Sequence, residues 1–293
     1  MKPTMKSPRI DLPRPRALPP ASLCAALLAI IATPALAQSA GDWSGGYVGG
    51  YAGGVMEPDD GNDRIAFDTN LDGNFDDTVR TGTGADAFSP GSCNGVARAP
   101  TPAGGCAENS GGAEFGLRVG YDWQVDNWVF GVVGEYGVND ARDAVTSFST
   151  TPARYTMLRK VDGIAAMRGR VGWAFGDGGN NLLYATGGYA QAQIENFFST
   201  SNTANSFTAN GDSDASGAQF GLGYERRIGE FLAVGIEYLA TRLDDDEARV
   251  RVGPGSAPPT NPFIRSNPNG TDFRRSDEDF DLDSVRLTAV YRF

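Results

Sequence analysis

The chain has no histidine in its 293 residues. That removes the usual general base of a Ser/His hydrolase, the commonest metal ligand and the usual haem ligand. Haem would have to be held through Tyr or Met, and no carboxylate pair stands out by its spacing as a glycosidase-type acid and base. Basic residues are in the minority, with 25 Lys and Arg against 36 Asp and Glu and a net charge of −11. Nucleic acid, which needs clustered Lys and Arg, is therefore not an expected partner. Cysteine is scarce, with three in all. Long hydrophobic runs are missing too. After Ala37 nothing approaches 18 consecutive apolar residues, so no helical membrane span is expected. A closed barrel of strands is the remaining way to satisfy every backbone group inside lipid.

The N-terminus has a different character. Lys2, Lys6, Arg9, Arg14 and Arg16 make a basic start, followed by the apolar run Ala21 to Thr33 and then Ala35-Leu36-Ala37, an A-x-A cleavage site. The run is too short to span a bilayer, which takes about 20 apolar residues. Residues 1–37 read as a secretory signal peptide, with Gln38 as the expected mature start and 38–293 as one domain. Cys24 lies inside the apolar run and not at its end, which argues against a lipoprotein. The remainder keeps 20 bases and 35 acids, and two cysteines, Cys93 and Cys106. Export permits a disulfide between them, across a comfortable loop.

What the mature chain does have is period-two alternation. Val285, Leu287, Ala289, Tyr291 and Phe293 are apolar at every second position, with Arg286, Thr288, Val290 and Arg292 between them. This is a strand with one greasy and one mostly polar face, suited to close a barrel with an aromatic at a membrane interface. Similar runs are expected at 43–55, 113–125, 128–138, within 155–175, and at 181–198, 215–228 and 231–252, making eight strands. Three connections are short: Asp126-Asn127, Gly176 to Asn180 and Gly229-Glu230. Four are long: about 55–112, 139–154, 201–213 and 253–278. Alternating short turns and long loops is the pattern of an antiparallel up-and-down transmembrane β-barrel, with short turns in the periplasm and long loops outside. The four tryptophans, Trp43, Trp123, Trp128 and Trp173, all fall at the expected periplasmic strand ends and are expected to form an interface belt.

The segments WSGGYVGGYAGG, GYDWQ, MRGRVGWAF, YATGGYA, GLGYERRI and VRLTAVYRF, in this order, resemble the small porin-like outer-membrane β-barrels of proteobacteria, related in architecture to the OmpA membrane domain. The resemblance covers the mature chain except its long loops. It implies an outer-membrane location and no catalytic activity. The first loop is longer than expected for the smaller members.

Three groups of residues are candidates for function. The inward face carries Glu114, Arg118, Glu135, Arg168, Arg170, Glu225, Glu237 and Arg286, with Gln191, Gln193, Glu195 and Gln219, among many glycines. Buried charges must be paired, so an ion-pair network is expected, with Glu114 and Glu237 as candidate partners of Arg286. Eight strands enclose a space about wide enough for side chains to fill; a narrow charge-lined pore is the alternative, because the glycines leave room for water. In loop one, Asp68, Asn70, Asp72, Gly73, Asn74 and Asp76 match the front half of an EF-hand-like calcium loop, D-x-[DN]-x-[DN]-G. Position twelve is Val79 in place of a bidentate Glu. The spacing makes Ca²⁺ a candidate ligand, against a plain solvated acidic turn; loop 55–112 holds ten acids and three bases. Acidic runs at Asp244 to Glu247 and Asp277 to Asp279 read as cross-strand charge pairing or as cation bridges to lipopolysaccharide. The expected function is thus a structural and surface-interaction barrel, with a narrow diffusion channel for small solutes as the alternative. Its expected partners are outer-membrane lipid and lipopolysaccharide, and the barrel-assembly machinery through the closing strand.

Overall fold

A computed structural model describes residues 42–57 and 63–293. The expected signal peptide and its cleavage site lie outside the described residues. Eight strands make the barrel: β1 (Gly45–Met56), β2 (Gly112–Val125), β3 (Trp128–Asn139), β4 (Ala153–Phe175), β5 (Asn181–Thr200), β6 (Ser213–Ile228), β7 (Leu232–Asp244) and β8 (Asp279–Arg292). Each pairs antiparallel with the next. β8 then pairs with β1, from Tyr47 opposite Arg292 to Met56 opposite Asp283, and closes the ring. No sheet edge is left in the lipid, as a spanning sheet requires. The short turns are where the alternation placed them. Asp126 takes φ 54°, a left-handed conformation that Asp tolerates and a two-residue hairpin needs.

Within the lipid zone, apolar side chains point out. Phe115, Leu117, Phe130, Leu222, Ile236 and Leu287 are all exposed, and Arg118, Glu135, Arg168, Glu237 and Arg286 are all buried on the opposite face. The strands then continue beyond the membrane. β4 has 23 residues and β5 has 20. At about 3.3 Å per residue and a tilt of roughly 40°, 20 residues rise about 50 Å, twice the apolar band of about 25 Å. Over this upper part the two-faced rule inverts. Ala190, Ala192, Ile194, Phe280 and Leu282 are buried in the lumen. Gln191 and Gln193 face outward and exposed, and Glu195 is half-exposed, so these three are not inward as the alternation had suggested. The reason is the solvent. Above the membrane the outside is water, so apolar groups gain by turning inward.

The long connections are not irregular loops. Segment 139–154, read as a loop, contains a strand, Arg142–Ser149, that folds back on the upper half of β4. Strand seven was expected to reach Val252, but β7 ends at Asp244, and Val250–Gly253 joins a separate four-stranded sheet. The order of that sheet is Ser206–Ala209, Val250–Gly253, Thr271–Arg275, Ile65–Asp68. Its strands come from three different connections. It has its own aromatic core, including Phe67, Phe88, Tyr155, Phe263 and Phe273, with the Phe67 and Phe88 ring centroids 4.4 Å apart. Phe75 lies beneath the guanidiniums of Arg274 (4.5 Å) and Arg249 (5.3 Å), which pins loop one to the β7–β8 connection. The barrel therefore carries a folded external cap.

Cys93 and Cys106 are disulfide-bonded within loop one. Cys93 belongs to Ser92–Asn94, paired with Arg142–Ser149, and Cys106 to Cys106–Ala107, paired with Val96–Ala97. A loop of this size stabilises the cap by about 3 kcal/mol through the unfolded state. The double replacement Cys93→Ser and Cys106→Ser should accelerate protease cleavage between residues 80 and 110. Cleavage of the membrane strands should not change.

Candidate functional site: the filled lumen and the external cap

Inside the barrel, charged residues meet in layers. In the middle layer Glu135 forms ion pairs with Arg118 (3.0 Å) and Arg168 (2.8 Å) and accepts a hydrogen bond from Arg286 (2.5 Å). Glu237 pairs with Arg286 (2.7 Å), lies 3.5 and 3.6 Å from Arg118 and Arg168, and accepts from the Tyr184 hydroxyl at 3.1 Å. Arg168 also donates to Gln219. Toward the periplasmic end, Asp122 takes a two-pronged contact from Arg170 and a 2.7 Å contact from Arg292, and Arg170 reaches Glu225 at 3.0 Å. Tyrosine rings fill between the charges. The Arg170 guanidinium lies 4.9 Å from the Tyr47 ring and 5.0 Å from that of Tyr184, and Arg286 stands 4.1 Å from Tyr51. The inward glycines make room for these rings and not for water. A Cβ at Gly120 would sit 2.3 Å from Tyr47, and one at Gly137 would sit 2.1 Å from the Tyr51 hydroxyl.

The periplasmic mouth is plugged by Trp43. Three tryptophans, Trp123, Trp128 and Trp173, are exposed and form the expected interface belt, but Trp43 is fully buried inside the barrel. Its Nε1 donates to the Gly179 carbonyl (2.8 Å), and Arg292 donates to the Trp43 carbonyl with its guanidinium 5.0 Å from the Trp43 ring. Trp43 precedes β1, so the pairing that orients a strand does not hold it at the lipid face. An unfilled lumen drew it in.

Of the expected interior set, Arg118, Glu135, Arg168, Glu237 and Arg286 form one cluster, and Arg170 and Glu225 a second. Glu114 makes no ion pair among the described residues. It lines a void of about 20 Å³ beside Tyr51, Gln219 and Arg286, room for about one water. Sequence reasoning left Asp122 and Arg292 out of the network, although both lie on the polar faces of their strands. It also missed a third group at the base of the cap. Asp143 pairs with Arg159 and Arg275 (both 2.7 Å), Arg275 with Asp63 (2.5 Å), and Arg159 lies 3.8 Å from Asp245. These residues join three connections and β4. Most of them occupy segments with no readable period, which is why the sequence did not show them. Burial pushes the Asp143 carboxyl up, and Arg275 and Arg159 more than reverse this, holding it below the ordinary aspartate range.

In loop one, Asp68 is buried while Asn70, Asp72, Asn74 and Asp76 are exposed. The Asp68 carboxylate accepts three backbone N–H groups at 2.6–3.2 Å, from Leu71, Asp72 and Gly73. The Asn70 side chain accepts from Asp72 N, and that of Asp72 from Asn74 N. The N–H of Asn74, aided by Asn70, lowers the Asp72 carboxyl pKa. Among the described residues, no group of three or more His, Cys, Asp or Glu side chains is placed to hold a metal ion.

A closed eight-stranded ring with short turns at one end, a greasy outer band and a polar filled lumen is outer-membrane architecture. The family of the outer membrane protein beta-barrel domain matches residues 23–293. The chain belongs to that family. It is an outer-membrane protein, lying in the lipid of the bacterial outer membrane. The 31 kDa outer-membrane immunogenic protein of Brucella melitensis is 25% identical over 135 residues, covering 46% of this chain. A Brucella suis protein with the same description matches equally. The chain spans about half the length, 55%, of these curated relatives. Among solved structures, OprG of Pseudomonas aeruginosa is similar with 15% identity and a TM-score of 0.48, over 87% of this chain and 99% of that one. Ail of Yersinia pestis is similar with 10% identity and a TM-score of 0.32, over 85% and 99%.

Glu237→Ala leaves three buried guanidiniums to share Glu135. It should cost about 3–5 kcal/mol, the usual penalty for breaking a buried pair, read from the urea midpoint of the refolded protein. Glu114→Gln, which breaks no ion pair among the described residues, should shift the midpoint little. Because the native Asp143 pKa is lowered, its contribution is complete above the unfolded pKa and is lost as pH falls through the native one. Protease sensitivity of residues 63–111 should therefore rise on acidification, and Asp143→Asn should flatten that dependence.

Proposed function

We propose that this protein is a non-conducting, non-enzymatic barrel whose external cap is its working surface. The observation that carries the reading is the filled lumen. Aromatic and charged layers occupy it from Trp43 upward, and the void beside Glu114 and Gln219 measures only about 20 Å³. A diffusion channel needs a continuous water path, which this packing opposes. The loops, by contrast, spend their apolar residues on a rigid scaffold that holds one surface in shape.

Lipopolysaccharide is the nearest partner of that surface. Asp279, Asp281 and Asp283 alternate along the outer side of β8 just above Val285 and Leu287, with Arg242 3.1 Å from both Asp281 and Asp283. This mixed row at head-group height supports contact with phosphates, directly or through divalent cations. The apolar face of β8, closing on Phe293, supports recognition by the barrel-assembly machinery. A calcium ion at Asp68, Asn70, Asp72, Asn74 and Asp76 would have to share the Asp68 carboxylate with three backbone donors, and this reading does not rest on it.

Planar-bilayer recording of the refolded protein should show no stable conductance steps, in the wild type or in Arg168→Met and Arg170→Met. Discrete wild-type steps that change with either substitution would establish the channel instead.

A further inference from the structure

The lipid-facing side of the barrel carries a single charge among the described residues. Below Asp162, Gln191, Arg242 and Asp283, where the outer face turns polar, the outward side chains of the eight strands are uncharged except Arg226. Arg226 lies near the periplasmic end of β6. It is exposed and makes no hydrogen bond or ion pair among the described residues. A guanidinium facing hydrocarbon is costly unless its head reaches a charged partner at the interface. The described residues supply none, so the partner has to come from the membrane.

Arg226 also stands at one end of a groove of about 740 Å³ on the same face. Cross-strand pairing sets its shape. Arg226 lies opposite Val234, Val234 opposite Ala289 and Ala289 opposite Gly50, a floor of falling side-chain size. Tyr224, Ile236 and Leu287 pair in the same way above it and form one wall. Ile228, Leu232 and Tyr291, all exposed, form the wall on the periplasmic side. Exposed Leu117, opposite Gly50, closes the far end. The floor and the upper wall lie two to five residues from the periplasmic ends of their strands. At a rise of about 2.5 Å per residue this is the periplasmic half of an apolar band of about 25 Å. An apolar trough with a cation at its interface end fits an amphiphile with an anionic head and a hydrocarbon tail. A second copy of this chain would leave Arg226 unpaired, because no acid faces outward in this zone among the described residues. Lipopolysaccharide head groups stand at the other end of the barrel, beside the cap. We propose that the groove holds one phospholipid of the periplasmic leaflet, its phosphate on Arg226 and one acyl chain along Val234, Ala289 and Gly50. The site is remote from the cap and independent of the cap's role.

The test is native mass spectrometry of the folded full chain released from detergent micelles and titrated with dioleoyl phosphatidylglycerol. One phospholipid per chain should saturate before further adducts appear. Dioleoylglycerol, which lacks the phosphate, should bind at least about fivefold more weakly, and Arg226→Gln should weaken the phospholipid adduct to a similar degree. Val234→Phe, which fills the floor, should weaken it independently of charge. Val171→Phe, an outward position on β4 away from the groove, should leave it unchanged. The heat-dependent gel shift of a folded barrel checks each variant, and the comparison of the two lipids on the wild type needs no variant. Adducts that accumulate with no saturating first step, equal binding of dioleoylglycerol, an equal loss in Val171→Phe, or a dimer of the chain that Val234→Phe abolishes would each overturn the proposal.

Discussion

The structure depends on a shortage of space. Eight strands enclose a lumen too narrow for bulk water, so a charge pointing inward has no solvent to fall back on. Apart from Glu114, which lines the small void, the inward charges of the lipid zone named above find partners across the barrel. Glu135 and Glu237 answer this by serving three guanidiniums between them, and Asp122 by serving two. The glycines opposite Tyr47 and Tyr51 follow from the same constraint, because the rings that separate the charge layers need their neighbours' Cβ positions empty. Trp43, drawn inside from a position before the first strand, is the final piece of filling. The desolvation of each ion offsets much of the attraction, so such a network adds less net stability than its ion pairs alone would suggest.

A second constraint is the change of solvent along the strand. The same β5 that exposes Leu183 and Tyr189 to lipid exposes Gln191 and Gln193 higher up and turns Ala192 and Ile194 inward. β8 changes in the same way between Leu282 and Val285. The membrane surface is thus written into the chain as a reversal of polarity within an unbroken strand. Below it the barrel is a lipid-facing shell around a polar core; above it, an ordinary water-soluble barrel around an apolar one.

This explains how far the sequence could be read. The eight strands, their short turns and the inward charges of β2, β3, β4, β6, β7 and β8 were legible because one rule of alternation covers the lipid zone. Gln191, Gln193 and Glu195 were misplaced because that rule was carried past the point where it reverses. The end of β7 was set too late, because Val250–Gly253 alternates like a membrane strand while pairing within the cap. The cap itself was hidden because its strands are four or five residues long and their partners lie in other connections. Asp143, Arg159 and Arg275 meet only once those connections have folded together, and no spacing along the chain announces that.

The cap sheet takes one strand each from the β1–β2 and β5–β6 connections and two from the β7–β8 connection. No single stretch of sequence therefore owns the outer surface. A binder that recognises it will read a discontinuous epitope, and a synthetic peptide copied from any one loop will not reproduce that shape. The loops are also tied to one another through this shared sheet. An insertion in one must be accommodated by strands borrowed from the others, so the outer face of this barrel should diverge as a unit and not loop by loop.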